Sequence, residues 1–450
     1  MSSQPTAEAL LIHISGHDRP GITAACCSIL AAHNAAILDI GQAVVHENLA
    51  LGILIAAPDG RALTALRGDL EAKMTALGLE SRITPVSAGA LEHWMHGRGG
   101  SQLIVTLLGR SISAAMLAGV SEVLALSGFN VDRIERLSAQ IADGTGSFVT
   151  GHDFSRAETA AKERGGALAP AESYSAASSP PAPINACLEL AVSGPAIDEA
   201  DLRAQLLAVA QHFSLDIACQ REGIFRLNRR LFAFDMDSTL IQGEVIDELA
   251  KMAGVGEQVS RITEAAMRGE LDFDQSFTRR VGLLKGLPAE QVFSLLGAIP
   301  LAEGAERMFR TLKLLGLKTA ILSGGFNFFA RTLQQRFGID HVHANELEIV
   351  DGLVTGRVIP PIMNGARKAQ LLGEIAAAEG ISLERVVAVG DGANDIPMLS
   401  LAGMGIAYRA KPKVRAQADQ SLSQLGLDGL LYLIGLRDRD LLAHDNDQAI

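Results

Sequence analysis

Apolar and polar residues alternate with two different periods along the N-terminal part of the chain. Short apolar runs have the length and composition of strands, and two longer segments carry apolar residues at the spacing of a helix face. In chain order we predict a strand at 9–14, a helix from the turn Gly16–Gly21 to about residue 33, strands at 36–40 and 49–55, a helix at 62–77 and a strand near 81–84. This βαββαβ order predicts a ferredoxin-like domain at residues 8–86.

The same order recurs further along the chain. The predicted elements are strands at 102–108, 130–134, 186–192 and 216–219, with helices up to residue 126 and at 198–213. Gly16 and Asp39 are as far apart as Gly109 and Asp132, which favours an internal duplication over two chance matches. We place this second domain at residues 100–225, with a mobile insertion rich in Ala, Gly, Ser and Pro at about 140–184.

Strands and helices alternate from Leu231 onward, which is typical of a parallel α/β sheet of the Rossmann-like kind. We expect this third domain to cover residues 228–435. Helical sequence without a strong strand interrupts the alternation at about 243–300. The interruption predicts a helical cap inserted over the crevice at the strand ends.

Four carboxylates follow two of the predicted strands directly. Asp235 and Asp237 come after the apolar run 230–234, and Asp391 and Asp395 come after the run 386–389. Ligands bind outside the carboxyl ends of strands in an open parallel sheet, so these side chains can meet at one site. Crowded carboxylates repel one another, and a hard cation such as Mg²⁺ relieves the repulsion. The pattern favours a Mg²⁺-dependent phosphoryl-transfer site, with helix caps and turns as the alternative role of these residues.

Each of these residues suits a particular role in such a site. Asp235, the first carboxylate past its strand, is the candidate nucleophile, and Asp237 is the candidate general acid and base. Asp391 and Asp395 are candidate Mg²⁺ ligands, together with Asp235 and the main-chain carbonyl of Asp237. Asn394 can orient the substrate or the phosphoryl oxygens by hydrogen bonding.

Two further segments can bind the phosphoryl group. Ser323 and Gly324, in a Ser-Gly-Gly turn after an apolar strand, offer a hydroxyl and exposed backbone N–H groups. Lys368 can add a cation, although a solvated helix residue is the simpler interpretation of a single lysine.

Residues of the predicted cap can recognise an amino acid. Glu244 and Arg280 have opposite charges that match an ammonium and a carboxylate, and Met267 and Phe273 can close over them and exclude water. A surface ion pair and ordinary packing are the alternative interpretations.

Composition narrows the function further. The 39 Lys+Arg residues against 51 Asp+Glu residues give a formal charge of -12, which argues against nucleic acid as a partner. The four cysteines have no metal-binding spacing and fit a reducing compartment. Neither a signal peptide nor an apolar stretch of roughly 20 residues is found, so we expect a cytoplasmic protein without a membrane span.

Taken in order, the Asp-Met-Asp-Ser-Thr, Ser-Gly-Gly, Lys368 and Gly-Asp-Gly-Ala-Asn-Asp motifs resemble the haloacid dehalogenase superfamily of phosphatases. The longer segments 235–244 and 274–286 are similar to its phosphoserine phosphatase family. The resemblance implies that Asp235 is the nucleophile, Asp237 the acid and base, and O-phospho-L-serine the substrate. It places the phosphate site at Ser323, Gly324 and Lys368, the Mg²⁺ ligands at Asp391 and Asp395, and an adjoining substrate contact at Asn394. It places serine recognition at Glu244, Met267, Phe273 and Arg280.

The two N-terminal units resemble ACT domains, which bind amino acids at interfaces between paired units. The segment Gly16–Ile22 is similar to the ligand loop of that family and offers a helix N-terminus at Gly21 for a carboxylate and Asp18 for an ammonium. Asp18 can instead cap the helix. The corresponding segment Gly109–Ser113 lacks the Asp and the Pro-Gly.

These interpretations together predict hydrolysis of O-phospho-L-serine, the last step of L-serine biosynthesis, by a homodimer that L-serine regulates. Two alternatives stay open at this point. The chain can be a phosphotransferase that passes the phosphoryl group to another alcohol, or an amino-acid-binding regulatory protein with an idle phosphatase domain.

Overall fold

The computed structural model describes residues 9–58, 60–87, 89, 101–139, 185–196 and 199–441. The predicted insertion at 140–184 lies outside the described residues. The described residues up to 89 belong to one compact unit and those from 101 onward to a second, and each unit is described separately.

The first unit is a four-stranded antiparallel sheet with two helices. Its elements are β1 (Ala9–His17), α1 (Ile22–Ala32), β2 (Ile37–Val45), β3 (Asn48–Ala56), α2 (Gly60–Ala76) and β4 (Glu80–Val86), and the strand order is β2-β3-β1-β4. Alternate residues of β1, Leu10, Ile12 and Ile14, point into a core that includes Cys26 and Leu30 of α1. The predicted βαββαβ fold is confirmed.

The second unit begins with another sheet of the same kind. Its elements are β5 (Ser101–Gly109), α3 (Ala114–Leu126), β6 (Asn130–Arg136), β7 (Ala186–Gly194), α4 (Glu199–Phe213) and β8 (Asp216–Arg221). The strand order β6-β7-β5-β8 repeats that of the first unit, with every pairing antiparallel. The recurrence predicted from the sequence is therefore present in the fold.

A seven-stranded sheet follows, in the order β12-β11-β10-β9-β13-β14-β15. The strands are β9 (Leu231–Phe234), β10 (Lys318–Phe326), β11 (His341–Val350), β12 (Leu353–Ile359), β13 (Val386–Gly390), β14 (Met404–Tyr408) and β15 (Gln420–Leu422). All pairings are parallel except that of β12 with β11. The predicted parallel sheet is confirmed, with one antiparallel edge strand that the alternation of strands and helices did not indicate.

Helices cover this sheet and extend beyond it. Between β9 and β10 lie α5 (Val245–Met252), α6 (Gly256–Met267), α7 (Phe273–Gly282), α8 (Ala289–Ser294) and α9 (Ala305–Leu314); after β10 come α10 (Asn327–Phe337), α11 (Gly365–Ala378), α12 (Ile396–Leu401), α13 (Pro412–Arg415) and α14 (Gly429–Leu433). Both sheet faces are apolar, as a buried parallel sheet requires: all residues of β9, β13 and β14 are buried.

The helical segment between β9 and β10 leaves and rejoins the sheet at one place. Ile241 pairs with Leu301 in an antiparallel bridge, and Gln242 N–H donates to the carbonyl of Pro300 at 2.8 Å. At its far side the segment contacts the β11–β12 hairpin, where Gly286 N–H donates to Val354 O at 2.8 Å. The segment that contains α5 to α8 is thus attached at two places, where its chain leaves and rejoins the sheet and at the β11–β12 hairpin.

The second antiparallel sheet packs against the edge of the seven-stranded sheet. The side-chain amide of Gln420 on β15 accepts from Cys219 N–H at 3.0 Å and donates to Cys219 O at 2.9 Å. Asp216, at the start of β8, accepts from the N–H groups of Ser423 and Gln424 at 2.7 and 2.6 Å. These buried contacts join the two sheets into one compact unit.

Candidate active site

Three neighbouring strands bring the candidate catalytic residues together. Asp235 follows β9, Asp391 follows β13, and Ser323 lies near the end of β10, and β9 pairs in parallel with both β10 and β13. Asp235 N–H donates to Val389 O at 2.9 Å, which continues the β9–β13 pairing to the carboxylate itself. The carboxyl ends of the strands therefore meet at one crevice, as the sequence predicts.

Lys368 lies at the centre of this crevice. It is fully buried on α11, and its Nζ lies 2.8 Å from Asp235 Oδ1 and 2.7 Å from Asp395 Oδ1. Burial disfavours the ammonium, but Asp235 and Asp395 outweigh that effect and raise the pKa of Lys368 above its ordinary value. Lys368 is therefore not the solvated helix residue of the simpler interpretation.

The carboxylates crowd together as a cation site would require. One carboxylate oxygen from each of Asp235, Asp391 and Asp395 lies within 4.8 Å of the others. Asp391 Oδ1 accepts from Thr239 Oγ1 at 3.0 Å, and Asp395 Oδ2 accepts from Gly392 N–H at 2.9 Å. Oxygen donors in this arrangement suit a hard divalent cation.

Burial and like charge shift the pKa values of these carboxyl groups. Burial, with the charge of Asp235 as second cause, raises the pKa of Asp391 to about 8 and that of Asp395 to about 6. The same two causes hold the pKa of Asp237 well above its ordinary value, although its Oδ1 accepts from Val245 N–H at 3.0 Å. A cation at the cluster would favour the ionised form of Asp391 and Asp395, whose carboxylates belong to it.

The Ser-Gly-Gly segment faces Asp237. Ser323 is fully buried, and its Oγ accepts from Gly325 N–H at 2.9 Å. Asp237 Oδ2 lies only 2.0 Å from the position that a Cβ on Gly325 would occupy, so a side chain there would displace the carboxylate. Glycine at this position lets the backbone approach the reacting groups.

Residues of the helical segment 243–300 cover this crevice. Phe273 lies so close to the Ser-Gly-Gly segment that a Cβ on Gly324 would stand 2.9 Å from its ring. Arg280 NH1 lies 3.4 Å from Glu244 Oε2, with the Arg280 side chain 10% exposed and that of Glu244 42% exposed. Burial, partly offset by Arg280, raises the pKa of Glu244.

The remaining candidates lie in different surroundings. Asn394 is partly buried, and its backbone packs on Gly365 at the start of α11. Met267 is 63% exposed, and its Sδ lies 3.5 Å from Lys411 Nζ, so it does not cover the crevice as Phe273 does. In the first unit, Gly21 is the N-cap residue of α1 with φ +95° and no side-chain cap, so Asp18 does not cap this helix.

Sequence reasoning missed two buried polar residues of the site. Thr239 belongs to the first acidic motif, and the hydroxyl in that motif was the available signal. Asn345 on β11 donates from Nδ2 to Gly324 O at 2.8 Å and accepts at Oδ1 from Met363 N–H at 2.7 Å. Its sequence surroundings carried no signal, because both partners are distant along the chain.

Comparison with known proteins places this arrangement in a family. Residues 232–400 match a haloacid dehalogenase-like hydrolase model, and residues 8–84 match an ACT domain model. Phosphoserine phosphatase SerB2 of Mycobacterium tuberculosis is 38% identical over 98% of this chain and 96% of its own length. The chain belongs to the phosphoserine phosphatase family.

Other members of the phosphoserine phosphatase family agree with this assignment. The phosphoserine phosphatase of Streptomyces coelicolor is 37% identical over 99% of this chain and 97% of its own length. The crystal structure of a probable phosphoserine phosphatase from Vibrio cholerae, in its unliganded form, is 29% identical, covers 74% of this chain and 86% of its own, and has a TM-score of 0.52. Among the described residues of this family member, no helix is long and apolar enough to cross a membrane.

Proposed function

We propose that this protein hydrolyses O-phospho-L-serine to L-serine and phosphate, the final step of L-serine biosynthesis. The observation that carries the proposal is the fully buried Lys368, which contacts both Asp235 and Asp395, with the Glu244–Arg280 pair close enough for Glu244 to feel the charge of Asp235. Carboxylates and a fixed cation at the ends of parallel strands suit phosphoryl transfer, and nearby charges of both signs suit an amino acid. The names of the full-length relatives support the same substrate.

In the proposed mechanism, Asp235 attacks phosphorus in line and forms an aspartyl-phosphate while the bond to the serine oxygen breaks. Asp237 donates its proton to the leaving serine oxygen. Its raised pKa favours the protonated form that this step needs. Asp237 then accepts a proton from the water that attacks the aspartyl-phosphate, and hydrolysis regenerates Asp235.

The acidic cluster fits Mg²⁺ as the cofactor. The carboxylates of Asp235, Asp391 and Asp395, whose oxygens lie within 4.8 Å of one another, would hold the ion together with the main-chain carbonyl of Asp237. When bound, the ion offsets the repulsion between the carboxylates and an anionic phosphate.

The other residues bind the two ends of the substrate. Ser323, Gly324, Lys368 and Asn394 bind or orient the phosphoryl group. Glu244 receives the ammonium and Arg280 the carboxylate, and Met267 and Phe273 close over the serine moiety. Because Met267 is 63% exposed, its part requires a movement of the helical segment upon substrate binding.

L-Serine is the proposed regulatory ligand of the ACT region, where Asp18 and Gly21 would bind its ammonium and carboxylate. The N-cap position of α1 is a glycine without a side-chain cap, so N–H groups of the first helical turn are available to a carboxylate. A homodimer in which ACT units pair is part of the same proposal.

Phosphate release from a panel of phosphomonoesters, with Mg²⁺ and with EDTA, tests the proposed function. We expect Mg²⁺-dependent release with a preference for phosphoserine over phosphothreonine and sugar phosphates. Acceptor alcohols added to the assay should leave the yield of free phosphate unchanged, whereas a phosphotransferase would divert it to new esters. Equal activity across the panel would refute the serine assignment, and no release at all would favour a regulatory protein.

The variant Asp235→Asn tests the nucleophile. We expect turnover to fall by about four orders of magnitude or more, because the amide cannot form the aspartyl-phosphate. Circular dichroism should show an unchanged fold. Turnover at the wild-type rate would contradict the assignment.

A further inference from the structure

The peptide that joins Gly324 to Gly325 lies at the edge of the candidate phosphate site. Both residues lack a Cβ, so sterics do not decide which way this peptide faces. Hydrogen bonds hold it at both ends instead: Gly324 O accepts from Asn345 Nδ2 at 2.8 Å, and Gly325 N–H donates to Ser323 Oγ at 2.9 Å. The orientation of this peptide therefore depends on two side chains.

The surroundings of Asn345 fix its side-chain amide in one orientation. Its side chain is buried, with the residue only 1% exposed, and its Oδ1 accepts from Met363 N–H at 2.7 Å. Because Met363 N–H can only donate and Gly324 O can only accept, the amide of Asn345 has one orientation that satisfies both. Asn345 thus links the Ser-Gly-Gly segment to the chain that enters α11, the helix of Lys368.

The N–H end of the peptide is on the side of the reacting groups. Asp237 Oδ2 lies 2.0 Å from where a Cβ on Gly325 would stand, and Ser323 Oγ is the acceptor of the Gly325 N–H. With the carbonyl held by Asn345, the N–H stays on Ser323 Oγ, so the Ser323 hydroxyl can donate its own proton to a phosphoryl oxygen. A reversed peptide would place its carbonyl oxygen near Ser323 Oγ, and the hydroxyl would then donate to that carbonyl instead of to phosphate.

We propose that Asn345 is a positioning residue of the phosphate site, which holds the Gly324–Gly325 peptide with its N–H on Ser323 Oγ, so that the Ser323 hydroxyl donates to a phosphoryl oxygen. This proposal rests on the proposed function, since it takes the Ser-Gly-Gly segment as the place where phosphate binds. It assigns to Asn345 no contact with substrate. Its effect is exerted through the backbone of Gly324 and Gly325.

The variant Asn345→Asp isolates the hydrogen bond to Gly324. Aspartate has the same shape and still accepts from Met363 N–H, but its ionised form opposes Gly324 O with a second acceptor. We expect kcat/KM for phosphoserine and the affinity for inorganic phosphate, measured by calorimetry, each to fall about tenfold or more where the aspartate is ionised. Asn345→Leu, which has no donor at any pH, should show the same loss across the whole pH range. A protonated aspartate again has one donor and one acceptor, so the ratio of variant to wild-type kcat/KM should rise as the pH is lowered.

Thr319→Val is the matched control. Thr319 is fully buried on β10, the strand of the Ser-Gly-Gly segment, and its Oγ1 donates to Asp340 Oδ2 at 3.0 Å near the opposite end of that strand. We expect this variant to lose thermal stability while phosphate affinity stays unchanged and its activity ratio to wild type does not depend on pH.

Two results would overturn the proposal. One is Asn345→Leu, which has no donor at any pH, with wild-type phosphate affinity. The other is a loss of phosphate affinity and activity in Asn345→Leu that matches the loss in Thr319→Val at equal thermal stability. The phosphate titration decides the matter even if the wild-type protein does not hydrolyse phosphoserine, a result that would refute the proposed function alone.

Discussion

Arg280 has a buried hydrogen-bond donor that a bound ligand could satisfy. The residue is 8% exposed, and its Nε is buried and has no hydrogen-bond partner among the described residues. A buried donor without a partner costs about 1–3 kcal/mol. A substrate carboxylate bound in a bidentate manner would satisfy Nε and NH groups together.

Replacement of the Arg280 guanidinium should lower the preference for substrates with a carboxylate more than it lowers the rate of phosphoryl transfer. We expect Arg280→Lys to lower kcat/KM for phosphoserine by about tenfold to a hundredfold, because lysine cannot form the bidentate contact. Hydrolysis of phosphoethanolamine, which lacks the carboxylate, should change much less. Steady-state kinetics with both substrates measures the ratio.

The neighbouring exposed Arg279 provides the control for this experiment, since Arg279→Lys makes the same exchange of arginine for lysine on the same helix. An equal loss with both substrates for Arg280→Lys would show that Arg280 acts on the phosphoryl end or on stability rather than on the carboxylate.

At this scale the sequence indicated those side chains that follow strands in short acidic or glycine motifs. Lys368 became a site residue only through the family resemblance, since a lysine on a helix has no signal of its own. Asn345 and the hydrogen bond between Thr239 and Asp391 were not predicted, because each depends on partners brought together by distant strands.

The turn between β1 and α1 is the element that distinguishes the two ACT-like sheets. In the first unit it contains Gly21 with φ +95°, a conformation that glycine adopts without strain. In the second unit the corresponding turn contains Ser113, whose Oγ accepts from Met116 N–H at 3.3 Å and caps α3. The first helix N-terminus is thus uncapped by side chains, and the second is capped.

This difference predicts that only the first turn binds a regulatory amino acid. Asp18→Ala should raise the L-serine concentration needed for half-maximal inhibition by about tenfold, through loss of a charge-assisted hydrogen bond to the ammonium. Activity without serine should be unchanged. Ser111→Ala in the turn of the second unit is the control, and equal effects of both changes on inhibition would contradict the assignment.

Elements were predicted well wherever apolar runs and helix spacing were clear. The antiparallel β12 was missed, because the strand pattern alone carries no information on direction. The bounds of strands also differ, since β2 ends at Val45 whereas the predicted run ended at residue 40. The extra residues pair with β3, and such long-range pairing overrides local preference.

On the scale of the whole molecule, Asp216 joins the second antiparallel sheet to the seven-stranded sheet. Burial raises the pKa of Asp216 to about 6, although the N–H donors of Gln424 and Ser423 and the positive charge of Arg415 act to lower it. A carboxyl group with a raised folded-state pKa stabilises the fold at low pH, and this contribution is lost as the pH rises through about 6.

Asp216→Asn should therefore gain stability relative to wild type between about pH 4 and pH 7, by up to about 3 kcal/mol. Unfolding in urea, followed by circular dichroism across this range, measures the difference. Asp201→Asn, an exposed carboxylate on α4, is the control. A difference between Asp216→Asn and wild type that stays constant with pH would contradict the prediction.

Gln420 has a consequence for any attempt to divide the protein. Its side-chain amide satisfies both backbone groups of Cys219 and so closes the outer edge of β8. A chain shortened to begin after the second sheet would leave Gln420 and the N–H groups of Ser423 and Gln424 without these partners. The isolated second sheet would expose β8 as an open template for further strands. A loss of activity or solubility on truncation would therefore indicate that the hydrogen bonds between the two sheets had been lost. It would not by itself show that serine binding had been removed.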